Sequence, residues 1–386
     1  MAVSAPWRAM GTVKKEFGAG QFRRLALRRA AGRRRRQRRR KAEASGSKAR
    51  SGLDWLGLMV VSLPGLAALA ALAALLFTWM QVGQANKQLR ISEQGQITNR
   101  FNAAITNLGS DSVDVPLGGV YGLERIMQDS VRDHPTVVSV LTAYVRRHAP
   151  LPEAGVDRKQ TVAPAVTLPT DVEAAMGVLA ERPLEVETFG LDVNRTDLRG
   201  LRSGQGGSRF AGMIFQEADL SGADLSGADL TGADLTGADL TNADLTGTVL
   251  RGSSLAGATL SVASVSGADL NEANLNKADL SGADLTGARL TGAELNGAVL
   301  SSAVLKRTTF RTANMNGSNL TGADLKGADL TDARLAFADL TLADLTGANL
   351  TGADMSDADL TGAILTGVRL TGAKLDGVRG LPPSRR

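Results

Sequence analysis

The sequence predicts a solenoid rod that follows an apolar helix and a small α-helical module, and three observations predict it. Leucine recurs at every fifth position from residue 210 to residue 375, replaced only by Phe210, Phe215, Val265, Phe310, Met315 and Met355, so 34 positions keep register without a slip. Two places before most of them stands a small residue, as at Ala218, Ala223 and Ala228, and two places after them commonly a glycine, as at Gly222, Gly227 and Gly232. Upstream, no charge interrupts residues 55–86.

A step of five turns an α-helix by about 140°, which would scatter the leucines around every side. On a flat strand the same step alternates faces. All the leucines share one core only if the backbone turns a corner once per repeat and successive coils stack, which is a solenoid. The small residue fits beside leucine inside, and glycine permits the corner conformation. Burying each leucine contributes on the order of 1.5 to 3 kcal/mol, so their column is the main term opposing the entropy of ordering.

The elements follow in chain order. Residues 1–52 hold 17 Lys/Arg against Glu16 and Glu43, too few apolar residues for a core, and are expected to form a disordered cytoplasmic arm. Phe22, Leu25 and Leu27 among the arginines could lay a short amphipathic helix on anionic lipid, each basic residue contributing on the order of 1 kcal/mol; a solvated tail is the alternative. Without interleaved aromatics for stacking, nucleic acid is a disfavoured partner. Residues 53–80 are expected to be a transmembrane helix. The 25 residues from Trp55 to Trp79 would rise about 37 Å, against a hydrocarbon core of about 30 Å. Trp55 and Trp79 stand where interfacial rings prefer to be, and Pro64 with Gly65 could kink the span. The arm's charge places the N-terminus in the cytoplasm and the rest of a single-pass chain outside the cell membrane. A hairpin bent at Pro64 would return the chain, but the run is too short for two crossings.

Residues 81–150 read as a helical connector. Ile91, Ile97, Phe101, Ile105 and Leu108 keep a helical spacing that could continue out of the span, and two further helices follow, the second with Asp133 as N-cap and Pro135 in its first turn. Residues 151–169 form a Pro-rich linker, and 170–190 a short helix beginning behind Thr170 or Asp171 that would cover the open end of the rod. The repeats run over 191–378 and a tail over 379–386. Their register starts at Val193 and Leu198, then steps by twelve rather than ten to Phe210. The excess lies in "RGLRSGQGGSR", where Gly204 to Gly207 with Arg199, Arg202 and Arg209 could cradle an anion. No strand-then-helix context supports a phosphate loop, and a tolerated insertion is expected.

The pattern A-(D/N)-L-x-x, read at Ala218-Asp219-Leu220, resembles the pentapeptide-repeat family. The resemblance implies a mainly β fold, a right-handed quadrilateral β-helix with four repeats per coil, here about eight and a half coils and about 40 Å long. The stretch from Glu93 to Pro150 is similar to the helical segment between span and repeats in bacterial membrane-anchored members, actinobacterial ones especially. That subgroup brings no catalytic residue to carry over.

With four repeats per coil, the aspartates before leucine sort into ladders on adjacent faces. Asp219, Asp239, Asp279, Asp339 and Asp359 form one, and Asp224, Asp244, Asp284, Asp324 and Asp344 the other; the remaining faces mix in Arg289, Arg334, Arg369 and Lys374. Residues 210–375 hold 20 Asp/Glu against 10 Lys/Arg. Such faces could attract cations or a basic protein partner, although aspartate also supports turns locally. Phe337 and Leu342, with Val299 and Val304, stand outside where polar residues are expected and suggest a modest contact patch.

Some members of the family use an acidic rod to imitate DNA and inhibit DNA gyrase. The membrane span, and "DGVRGLPPSRR" in place of a dimerising helix, depart from them. The chain has no cysteine and two histidines, which excludes disulfide staples and zinc-thiolate sites. No nucleophile elbow, kinase motif or HExxH is present, and no catalytic residue, metal site or cofactor is expected. The expected function is a membrane-anchored binding scaffold or spacer; a DNA-mimicking regulator is the alternative and an enzyme the third.

Inserting one residue after Gly282 shifts every later leucine off the axis. It should lower the melting temperature far more than Leu280→Met, which costs under about 1.5 kcal/mol. Equal melting of the two variants by circular dichroism would contradict a corner every five residues.

Overall fold

The computed structural model describes residues 54–112, 114–152, 168–183, 191–203 and 208–381. The expected basic arm, most of the Pro-rich linker, Gly204 to Gly207, the last five residues and the side chain of Trp55 lie outside the described residues. The chain divides at Arg90 into two compact units.

Helix α1 (Asp54–Leu108) supplies the first unit and ends in the second. From Gly65 onward it is the one helix among the described residues long and apolar enough to cross a membrane, with a mean hydropathy of 1.8 in its most apolar window and none of that window buried. Leu66, Leu69, Leu72, Leu76 and Phe77 are exposed, as is Trp79. The Thr78 hydroxyl donates back to the Ala74 carbonyl at 2.8 Å.

The second unit begins with helices α2 (Val115–Asp129), α3 (His134–His148) and α4 (Thr170–Glu181). Prolines stand in the first turns of α2 and α3, where the missing N–H has no intrahelical partner to lose. Val120, Leu123 and Ile126 of α2, Val137, Leu141 and Val145 of α3, and Val172, Met176 and Leu179 of α4 are buried, together with Ala104 and Leu108 of α1. Where α2 meets α1, a Cβ on Gly119 would lie 2.8 Å from the Ala104 carbonyl oxygen, so only glycine permits that approach.

Two expected caps are built differently. Asp133 sits at the N-cap of α3 but makes no capping bond; its carboxylate accepts the Ser130 hydroxyl at 2.7 Å. Helix α4 starts after Pro169, and the Asp171 carboxylate accepts the Tyr144 hydroxyl at 2.5 Å. In both cases a side chain offers the carboxylate a stronger bond than a free helix-end N–H.

These helices close one end of the rod. Pro150 pairs antiparallel with Thr196, and the Asp197 N–H donates to the Ala149 carbonyl at 2.8 Å. Arg146 bonds both the carbonyl and the carboxylate of Asp192, at 2.5 and 3.0 Å. Beyond α4, the Arg182 guanidinium donates to the Arg209 carbonyl at 2.8 Å, and the Arg209 N–H donates to Ala180 at 3.2 Å. The edge of the first coil is thereby occupied instead of open to another chain.

From Arg209↔Asp229 to Asp359↔Arg379 each coil bridges the next in parallel at an offset of 20 residues. Before the glycine-rich loop the offset is 22, as at Asp197↔Asp219 and Arg202↔Asp224, so the extra pair lies between Arg202 and Arg209. The β structure consists of isolated bridges, and no extended strand appears among the described residues, because a corner every five residues leaves each face too short for one. From Leu220 to Leu360 each axial N–H donates to the next coil and each bridge residue to the previous one, as in Leu220 to Asp239 at 2.7 Å and Asp239 to Ala218 at 2.9 Å. The axial leucines from Leu220 to Leu360 are at most 1% exposed.

The second corner residue has positive φ, +67° at Gly222 for example, and among the described residues 13 residues other than glycine share that conformation, including Val262, Phe337 and Leu342. Such a side chain leans over the same corner of the following coil. A Cβ on Gly362 would lie 2.8 Å from Leu342 Cδ2, and one on Gly282 would lie 3.4 Å from Val262 Cγ1. Corner glycines thus supply room as well as rotation. Gly362→Ala should destabilise the rod by about 1–2 kcal/mol through its left-handed backbone, plus the clash, and Leu342→Gly should recover the clash component. A urea double-mutant cycle without coupling would contradict the overhang.

Candidate functional site

The two aspartate columns form as the spacing predicts, but they are not continuous. Asp219↔Asp239, Asp224↔Asp244, Asp324↔Asp344 and Asp339↔Asp359 stack directly. Between them stand neutral rungs at matching levels, Thr259 beside Ser264 and Val299 beside Val304. On the first face Asn319 adds a third neutral rung, so uncharged levels separate the like charges along both faces.

Each ladder carboxylate has an inward task. Asp239 Oδ1 accepts the Thr241 N–H at 2.9 Å and its hydroxyl at 2.6 Å, and the same pair of bonds recurs from Ser281 to Asp279, Thr286 to Asp284 and Thr361 to Asp359. These bonds hold the corner in place of backbone partners. Burial pushes the Asp279 and Asp284 carboxyls up, but hydrogen bonds from Ser281 and Thr286 more than offset it and leave both below the usual carboxylate range. At Asp339 and Asp359 the hydroxyls of Thr341 and Thr361 lower the pKa. Lys326 lowers Asp344 most, with Thr346 behind it, to about 2.

Cations reach these columns from the borders. Lys326 Nζ lies 2.8 Å from Asp344 and 3.4 Å from Asp324, and Lys306 lies 3.3 Å from Asp324. Arg199 lies 3.7 Å from Asp219, and Arg379 lies 3.2 Å from Asp359. Asp224, Asp239, Asp244, Asp279 and Asp339 meet no cation among the described residues. Coil closure adds a sidedness that the ladders alone did not reveal. The two aspartate faces and the corner between them, residues 218–224 and their equivalents every 20 residues to 358–364, hold ten aspartates and no Lys or Arg. The rest of residues 210–375 is balanced, with ten acidic and ten basic residues. The whole negative excess of the rod lies on one side.

Phe337 and Leu342 are exposed, at the corners flanking the Asp339 face, while Val299 and Val304 are half-buried on the faces. Of the arginines of the expected anion cradle, Arg199 is engaged elsewhere. Arg199 forms a two-pronged pair with Asp197 at 2.8 and 2.6 Å, which leaves little of its charge for an anion. His134 and His148 are the first and last residues of α3, about 21 Å apart along the helix, and share no chemistry. His148 stacks on Tyr144 with ring centres 4.0 Å apart.

The family model for Pentapeptide repeats matches in eight copies, among them residues 214–252, 253–292, 293–332, 313–347, 328–367 and 338–377. The matched residues are those of the stacked, parallel-bridged coils described above. No curated protein matches the sequence. Among solved structures, the chain is similar to HetL, a pentapeptide repeat protein involved in heterocyst differentiation regulation from the cyanobacterium Nostoc sp. strain PCC 7120, at 29% identity over 48% of this chain and 88% of that one, with a TM-score of 0.27. Trypsin-treated QnrB1, a plasmid-mediated fluoroquinolone resistance protein, is 24% identical over 41% of this chain and 79% of its own, with a TM-score of 0.27. A pentapeptide repeat protein from the Arabidopsis thaliana thylakoid lumen is 31% identical over 25% of this chain and 72% of its own, with a TM-score of 0.18.

Asp344 and Asp354 both titrate at about 2, below the ordinary 3.8. A depressed carboxylate adds stability that is complete above its unfolded pKa and is lost as the pH falls through the folded one. The rod should therefore lose stability between about pH 4 and 2. Lys326→Gln removes the largest cause at Asp344, so its carboxyl resonance should titrate at higher pH; an unchanged NMR titration would contradict the pairing.

Proposed function

Because residues 214–377 are pentapeptide repeats wound into a β-helical rod, we propose that the protein is a non-catalytic scaffold, anchored in a bacterial membrane by α1, that binds a protein partner along the aspartate side of the rod. The observation that carries this reading is the one-sided charge: between residues 218 and 364 one side holds ten aspartates and no Lys or Arg, with Arg202 and Arg379 standing only at the two ends of its columns, and the rest of residues 210–375 is balanced. A spacer would need no such asymmetry. The axis is filled by leucine and alanine, which leaves no room for a substrate inside the rod.

The anchor rests on the apolar, unburied stretch of α1. Its orientation rests on the 17 Lys/Arg that precede it, which by the positive-inside rule remain cytoplasmic and send the repeats to the far side. Membership of the actinobacterial membrane-anchored subgroup belongs to the same proposal and rests on the residues from Glu93 to Pro150.

Two measurements test it. The chain has no cysteine, so Ser384→Cys is a single probe. An impermeant thiol reagent should label it on intact cells, and labelling only after lysis would reverse the topology. Affinity capture with the full chain should recover a partner that is lost when the ten ladder aspartates are changed to asparagine. Equal recovery by both forms would remove the aspartate side as the binding surface.

A further inference from the structure

Large apolar side chains are exposed unevenly over the rod. Among its described residues they are Val262, Phe337, Leu342 and Ile364, exposed by 57, 69, 64 and 48%. Coil register sorts all four onto the aspartate side or its edge. Val262 and Leu342 occupy the corner between the two aspartate faces, Phe337 the opposite edge of the Asp339 face, and Ile364 the rung after Asp344. Phe337 shares its corner with the Arg334 face, and the other three are clear of the side that carries Arg289, Arg334 and Arg369.

Three of them are also unfavourable to the backbone. Val262, Phe337 and Leu342 hold φ of +53°, +61° and +61°, the left-handed region that branched and bulky residues avoid most strongly. The column of Val262 and Leu342 otherwise holds Gly222, Gly282, Gly322 and Gly362 with Asn242 and Ser302, and that of Phe337 is glycine at Gly237, Gly257, Gly297 and Gly317, so the fold needs no apolar side chain there. An apolar side chain that strains its backbone and faces water gains nothing within the isolated rod. Burial against another molecule would offset both costs.

Building on the scaffold reading above, we infer that this side docks a cationic amphipathic polypeptide segment. Its apolar side chains pack on Val262, Phe337 and Leu342, and its Lys or Arg groups meet carboxylates such as Asp239 and Asp339 that no described cation contacts. A neutral partner would desolvate these carboxylates without pairing them, and nucleic acid or anionic lipid would be repelled. Val262 and Leu342 are four coils apart in register, about 19 Å along the axis at a strand spacing of about 4.8 Å. That span equals about thirteen residues of helix.

The test uses the full chain in zwitterionic nanodiscs, with an environment-sensitive dye on Ser301→Cys at the aspartate side or on Thr291→Cys at the opposite side. The probe is an amphipathic peptide of leucine and lysine, with a serine and lysine peptide of equal charge as control. The Leu/Lys peptide should shift the dye at position 301 and leave that at 291 unchanged, and the Ser/Lys peptide should bind weakly. The combined variant Val262→Gly, Phe337→Gly and Leu342→Gly should bind the Leu/Lys peptide about tenfold or more weakly while melting at a higher temperature. Unchanged affinity in that variant, or equal dye response on both sides, overturns the inference. A lower melting temperature overturns it as well, since the side chains would then serve the fold. If the glycine variant binds fully while the aspartate-to-asparagine form does not, the scaffold reading stands and the apolar contact falls.

Discussion

The rod depends on one constraint: each coil must satisfy the main-chain hydrogen bonds of the coils on either side while returning its leucines to a common axis. With Leu220 donating to Asp239 and Asp239 donating to Ala218, no residue on a face can shift without orphaning bonds in two neighbours. Buried main-chain groups left unpaired are expensive, so the register is held over the whole rod by the sum of small local requirements. Extra residues appear where the constraint is weakest. The two-residue excess between Arg202 and Arg209 falls in the first complete coil, whose outer edge is met by helices and by Arg182 instead of another coil.

The same constraint explains why aspartate dominates the outside. One carboxylate oxygen replaces a missing partner for the corner N–H and hydroxyl, leaving the charge itself at the surface. Charge on this rod is first a by-product of turn chemistry. What turn chemistry does not explain is placement, since aspartates fix corners equally well on all four faces, as Asp229 and Asp354 show on the other two. On those other faces cations answer them, for example Arg289 at 3.0 Å and Arg251 at 3.9 Å from Asp269. On the aspartate side they do so only from its borders and ends.

The period of five was enough to place every axial leucine and the first-coil excess, because each is a matter of position along the chain; the aspartate columns needed in addition the four repeats per coil that the family resemblance implies. It could not show what depends on neighbours 20 residues away. The lean of Leu342 over Gly362, the pairing of Lys326 with Asp344 and the neutral rungs at Thr259 and Ser264 become visible only once coils are stacked. Asp133 holds the expected N-cap position, but the side-chain capping bonds of Asp133 and Asp171 are absent for a related reason. Local propensity names a good capping residue, but Ser130 and Tyr144 compete for the same carboxylates, and Tyr144 is remote in sequence.

The overhang of a corner side chain onto the next coil gives the rod a grammar of succession. A copy of the coil that contains Leu342, set in register after itself, would bring a second leucine to the place of Gly362, where even a methyl group would meet the first at 2.8 Å. Tandem duplication, the simplest way for a repetitive gene to lengthen its product, is therefore open to coils with small corners and resisted by those with large ones. Val262 and Leu342 would then act as punctuation in the history of the sequence, marking levels at which the array stopped being freely copied.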